Sequence, residues 1–259
     1  MKLLFFDIDG TLVSFKTHRI PPSAVKALRI AKANGHKIII ATGRPVAIIT
    51  NLGDIEDLID GYATVNGACN IVDGKVIDVN PIPVGDWREI VEFSREVGAA
   101  LYAAGTQTIA IFQPTAELRQ FYLDITGVDP ATYPDISAFD PVEPMLQITV
   151  FIDKEQETRL MDRIPSCIAT RWHPGFTDII SAKADKGRAL RLICSHFGVD
   201  PSDSIAFGDG GNDAPMLSAA GIGVAMGNAF PEAKDAATFT TDDIDSDGLF
   251  NAFVRLGLI

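Results

Sequence analysis

The sequence predicts an α/β fold, a doubly wound parallel sheet interrupted by an inserted α+β segment. Three observations predict it. Apolar runs such as Leu3-Leu4-Phe5-Phe6 and Ile38-Ile39-Ile40 read as strands buried on both faces. Toward both ends of the chain such runs alternate with amphipathic helical stretches, the order that builds parallel sheets. Between Pro83 and Ile180 the order changes to helix, two strands, helix, strand, helix and two strands, which fits a separate inserted domain.

The first strand, over 2–6, runs into Asp7-Ile8-Asp9-Gly10-Thr11. A helix over 23–33 is entered by Pro21-Pro22 and closed at Gly35, because proline suits the first helical turn and glycine the residue past the last. A strand over 37–41 and a helix over 45–52 follow. Residues 61–66 read as a further strand, and 70–72 with 75–79 as a hairpin about Asp73-Gly74, a dipeptide suited to the tight two-residue turn. Within the insertion, strands are predicted over 99–103, 108–112, 146–152, 168–172 and 177–180. The first pattern then resumes with a helix over 186–197, a strand over 204–207, a helix over 215–220, a strand over 222–225 and a last helix from Leu249. The expected domains are 1–82 and 181–259 for the core and 83–180 for the insertion.

Composition narrows the function. A chain of 259 residues with 47% hydrophobic content supports a substantial core. Its 22 Lys and Arg against 34 Asp and Glu give a formal charge of −12, a surface that repels a nucleic-acid backbone. An acidic protein acting on an anion needs a local cation, which a metal supplies. The N-terminus carries no signal-peptide core, and no run of roughly 18 apolar residues is present to span a membrane. Three widely spaced cysteines, Cys69, Cys167 and Cys194, fit no zinc or disulfide framework. The expectation is a cytoplasmic protein without nucleic-acid or membrane partners, its oligomeric state open.

Parallel sheets keep their chemistry at the carboxyl ends of their strands. Asp7 and Asp9 stand there, and the bend at Gly10 lets both carboxylates face one pocket. That suits a phosphoryl acceptor beside an acid/base group. Thr42-Gly43-Arg44 follows the second strand, where a hydroxyl and a backbone N–H at a strand-to-helix turn make a phosphate cradle. Lys186 opens a helix, a place the macrodipole disfavours for a cation, so it reads as set for an anion. Gly208-Asp209-Gly210-Gly211-Asn212-Asp213 follows another strand, and its hard oxygen ligands suit Mg²⁺. Asp243-Ile244-Asp245-Ser246-Asp247-Gly248 imitates half a calcium loop, but Val254 stands where the bidentate Glu belongs.

These four motifs, in this order, resemble those of the haloacid dehalogenase superfamily, and within it the Cof-type phosphatases with a subtype IIB cap, such as bacterial hexose phosphate phosphatases. The resemblance spans the whole chain and implies a Rossmann-like core with a cap domain between Thr42 and Lys186. It implies Asp7 as nucleophile and Asp9 as acid/base, with Thr42, Gly43 and Lys186 binding phosphate. It further implies Mg²⁺ held by Asp7, the Asp9 carbonyl, Asp209 and Asp213, the last directly or through water. Arg44, Asn66 and Asn212 are secondary candidates for substrate contact. In the insertion, Arg171 and Asp178 flank a turn with Trp172 and Phe176, a mixture of charge and stacking faces suited to a sugar. The expected activity is Mg²⁺-dependent hydrolysis of small phosphate esters, most of all sugar phosphates, through an aspartyl-phosphate. The alternatives are a phosphosugar mutase and a non-enzymatic phosphate-binding module.

Overall fold

A computed structural model describes residues 1–106, 109–113, 115–126 and 143–259. The chain divides into two units, the first comprising Met1–Gly43, Ile49–Val79 and Asp185–Ile259, the second Arg44–Ile48 and Asn80–Ala184. The first holds an eight-stranded sheet of β1 (Leu3–Phe6), β2 (Lys37–Ala41), β3 (Ile59–Thr64), β4 (Cys69–Val72), β5 (Lys75–Val79), β11 (Ser204–Gly208), β12 (Ile222–Ala225) and β13 (Phe239–Thr240). Its order is β13-β12-β11-β1-β2-β3-β4-β5. The strands from β13 to β3 run parallel, and β4 and β5 add antiparallel at one edge.

Alternation along the central strands divides the core into two layers. Leu4, Phe6, Ile38, Ile40, Ile205 and Phe207 pack with the apolar stripes of α1 (Pro22–Ala33) and α8 (Gly248–Arg255). Leu3, Phe5, Ile39 and Ala206 pack on the other face with α5 (Lys186–His196) and α6 (Ala214–Ala219). Each fully buried side chain of this kind stabilises the fold by roughly 1.5–3 kcal/mol, so a one-residue slip in register would exchange the two layers at great expense. Phe6, Phe207 and Phe253 stack with centroids 4.9–6.0 Å apart, directly beneath the segment that carries Asp7.

The second unit is an antiparallel sheet of β6 (Leu101–Gly105), β7 (Ile109–Phe112), β8 (Met145–Val150), β9 (Cys167–His173) and β10 (Phe176–Ser181), ordered β7-β6-β8-β10-β9. One face packs on α2 (Val84–Val97) and α4 (Lys154–Met161) through Trp87, Ile90, Leu160, Leu101, Ile148 and Ile179. The other face carries Tyr102, Ile109 and Ile111 with Leu118 from α3 (Ala116–Thr126). Among the described residues the order helix, two strands, helix, strand, helix, two strands matches the expectation. The strand expected from Thr108 is described only from Ile109, since Thr108 lies outside the described residues.

Three expectations differ. The helix over 45–52 is a single 3₁₀ turn, Val46–Ile48, because β-branched Val46, Ile48, Ile49 and Thr50 resist helix. The strand expected over 61–66 is β3 at Ile59–Thr64, ending where Val65, Asn66 and Gly67 take positive φ of 50, 52 and 84°. A helix, α7 (Pro231–Ala236), and the short β13 were not expected. No described helix is long and apolar enough to cross a membrane.

Candidate active site

Strand β1 ends in Asp7, buried, whose backbone N–H donates to the Phe207 carbonyl at 3.0 Å. The parallel ladder therefore sets Asp7 beside the loop after β11, which carries Asp209 and Asp213. Carboxylate oxygens of Asp7, Asp209 and Asp213 lie within 4.8 Å of one another, all three residues buried. The Lys186 Nζ enters from the first turn of α5 and donates to Asp7 Oδ1 at 2.7 Å and Asp213 Oδ1 at 2.5 Å. Asp213 Oδ2 closes the loop by accepting from the N–H groups of Asp209 and Gly210, both at 2.9 Å. Lys186, read from sequence as a phosphate contact, is thus also the cation that holds two carboxylates together.

Gly10 explains how these loops approach. Its φ is +84°, and a Cβ there would collide with the Asp209 carboxylate and lie 2.8 Å from Phe15. Thr11 Oγ1 donates to Asp209 Oδ1 at 2.8 Å, and Asn228 Nδ2 donates to the Gly10 carbonyl at 2.8 Å. Sequence reasoning gave neither Thr11 nor Asn228 a role. Thr11 was visible as the last residue of the first motif; Asn228 stands in no motif, and only the fold brings it to Gly10.

One ammonium stands against three buried carboxylates, so the cluster keeps two formal negative charges. Lys186 has its pKa raised: burial opposes the charge, but Asp213 and Asp7 more than offset it. Burial lifts Asp7 well above the carboxylate range, with Asp213 and Asp209 adding to the rise and Lys186 opposing it. Asp209 is pushed up to about 7, chiefly by burial, with Asp213 and Asp9 adding and the Thr11 hydroxyl opposing. Closely set hard oxygens with excess negative charge fit a divalent cation such as Mg²⁺.

A stability consequence follows for the metal-free protein. The folded-state pKa of Asp209 lies above its unfolded value, so the folded chain retains a proton that the unfolded chain releases, and stability falls as pH rises from about 4 to about 7. At pH 7.5 without metal, Asp209→Asn is expected to raise Tm by roughly 2–6 °C, since the amide keeps an acceptor for Thr11 and removes the charge. A calorimetric scan in chelator checks this, and a lower Tm contradicts it.

The remaining sequence candidates fall into three groups. Thr42 is buried, and its carbonyl accepts from Asn66 N–H at 2.9 Å. Asn212 Nδ2 donates to Asn66 Oδ1 at 2.9 Å, and both amides flank Gly43. Asp9 is half-buried, bridged to Val13, and near enough that its charge raises Asp209. In the second unit, Arg44 Nη1 donates to the Ile48 carbonyl at 3.4 Å, and Asp178 on β10 accepts from Thr149 Oγ1 at 2.5 Å.

Arg171 is engaged within its own unit. Its Nε donates to buried Glu157 at 2.6 Å, Nη1 to the carbonyls of His173 and Pro174, and Nη2 to those of Ile152 and Asp153. Those bonds use all five guanidinium donors, so Arg171 ties the 173–175 turn to the start of α4 and has none left for a sugar. Phe176 is packing, stacked on His173 at 5.0 Å and tilted against Phe151 at 5.4 Å. The Trp172 side chain lies outside the described residues.

Comparison with known proteins places this geometry. The sequence matches the haloacid dehalogenase-like hydrolase family over residues 4–253. It is 31% identical over 260 residues to the putative phosphatase YkrA of Bacillus subtilis, covering 100% of this chain and 98% of that one. The solved structure of the HAD subclass IIB sugar phosphatase BT4131 is similar at 41% identity and TM-score 0.88, with 100% of both chains covered. That of the phosphatase BT1666 from Bacteroides thetaiotaomicron follows at 36% identity and TM-score 0.86, covering 100% of this chain and 96% of that one. With family, relatives and fold in agreement along the whole length, the chain belongs to the haloacid dehalogenase-like hydrolases.

Proposed function

We propose that this hydrolase is a Mg²⁺-dependent sugar phosphatase working through an aspartyl-phosphate on Asp7, with residues 83–180 as its cap domain. One observation carries the reading: the buried Lys186 ammonium is clasped between Asp7 and Asp213, and an Asp209 carboxylate oxygen lies within 4.8 Å of oxygens of both. An Asp at a strand end, held by a cation in an otherwise anionic pocket, is arranged to meet a phosphoryl group once the excess charge is balanced. Similarity to a sugar phosphatase over the whole chain supports the substrate class.

In this reading an Asp7 carboxylate oxygen attacks phosphorus while the bond to the sugar oxygen breaks, and Asp9 gives that oxygen its proton. Water then attacks the same phosphorus, yields its proton to Asp9 and releases Asp7. Lys186 keeps Asp7 oriented and offsets charge on the phosphoryl oxygens. The Thr42 hydroxyl and Gly43 N–H bind those oxygens, with Asn66, Asn212 and Arg44 around the cradle. Asp7, Asp209, Asp213 and the Asp9 carbonyl would hold Mg²⁺, which would supply charge neutralisation at the transferring group. Asp178, on β10, recognises sugar hydroxyls.

A screen of sugar phosphates, nucleotides and pyridoxal phosphate with Mg²⁺ tests the proposal. Release of inorganic phosphate from sugar phosphates, fastest of the three and without a bisphosphate activator, is expected. Faster hydrolysis of nucleotides would overturn the substrate class, and isomerisation without phosphate release would overturn the reaction.

A further inference from the structure

We infer that Asn70, Asp78 and Arg188 form a brace that positions Lys186 between Asp7 and Asp213 and fixes the turn Val65–Gly67 beside Thr42. The inference rests on the phosphatase reading of this site. Lys186 sits in the first turn of α5, and Asp185 starts that helix by accepting the Arg188 N–H at 2.5 Å. From there the Arg188 side chain reaches β5, where Nη1 and Nη2 bind the two oxygens of Asp78 at 2.9 and 3.1 Å. A bidentate pair of this kind fixes orientation as well as distance. Asp78 Oδ2 also accepts from Asn70 Nδ2 at 3.1 Å, and the same amide donates to the Gly67 carbonyl at 3.0 Å.

Asn70 is fully buried, and its Oδ1 has no hydrogen-bond partner among the described residues. Reversing the amide would set that oxygen against a carbonyl and a carboxylate, so its two acceptors fix its orientation. A buried asparagine with an orphaned acceptor serves through its donors. What they hold is a strained turn. Val65, Asn66 and Gly67 take positive φ in succession, and a β-branched residue there persists only where its surroundings over-determine it. Asn66 N–H reaches the Thr42 carbonyl at 2.9 Å. On the other side, a Cβ on Gly67 would come within 2.7 Å of the Asp185 carbonyl. One turn therefore touches both the cradle residue Thr42 and the residue that caps the Lys186 helix, and the brace closes the loop between them.

A partly exposed ion pair contributing only to stability would leave turnover unchanged. A positioning brace would not. With p-nitrophenyl phosphate and saturating Mg²⁺, Asp78→Asn and Arg188→Gln are each expected to lower kcat roughly 10- to 100-fold while KM moves less than about threefold. The double variant should lose no more than the worse single one, because either change breaks the same link. In metal-free protein, hydrogen exchange at the amides of Asn66, Ala68, Arg188 and Ala189 should quicken together in the variants, while β1 stays protected. Should Asp78→Asn fail to fold, Arg188→Gln, at a more exposed position, carries the same test. Unchanged kcat, or exchange that quickens in only one of the two segments, would overturn the brace. A parent protein releasing no phosphate would sink the phosphatase reading instead, and the exchange measurement would still decide the coupling.

Discussion

Asp7→Asn is expected to lower kcat by at least about 10³-fold, a loss of roughly 4 kcal/mol of transition-state stabilisation. The amide has nearly the shape of the carboxylate and keeps an oxygen to accept from Lys186 Nζ, now 2.7 Å from Asp7 Oδ1. It has no nucleophilic oxygen anion. Stability should not fall, because the substitution removes one of three crowded buried carboxylates. Steady-state phosphate release and a melting curve on the same preparation separate the two effects. Acid-quenched protein incubated with substrate should carry a phosphoryl group on the parent and none on the variant. Turnover within tenfold of the parent would remove Asp7 from the nucleophile's role.

Chelation is expected to silence the enzyme, and added Mg²⁺ to restore it. At an effective dielectric of about 20, like charges no more than 4.8 Å apart repel by at least roughly 3 kcal/mol per pair. A phosphate ester brought to this cluster adds further negative charge, which Lys186 alone does not offset. Binding of Mg²⁺ to the folded chain should also raise Tm with concentration, a readout independent of turnover. Affinity for the ion should drop as pH is lowered through about 7, where Asp209 takes up a proton. Full turnover after exhaustive chelation, or a Tm indifferent to Mg²⁺, would refute the cluster as a metal site.

By itself the sequence determined the elements whose signals are local. The all-apolar run before Asp7, the Pro21-Pro22 entry to α1 and the Asp73-Gly74 hairpin each carry their structure in a few neighbouring residues. So do the four motif loops, since a strand, a turn and a helix start are short-range patterns. The parallel register then follows, and with it the convergence of Asp7, Asp209, Asp213 and Lys186. Tertiary structure alone decided how those groups are shared. Lys186 binds carboxylates on two separate loops, Thr11 of the first motif reaches Asp209 of the last, Asn228 joins the site from a position in no motif, and Arg171 spends every donor on its own unit. The 45–52 segment failed as a helix through its own β-branched residues Val46, Ile48, Ile49 and Thr50, whereas α7 went unseen because so short a helix is settled by packing partners. Burial and charge act through space between residues as far apart as 7 and 213, and a linear pattern holds no measure of that distance.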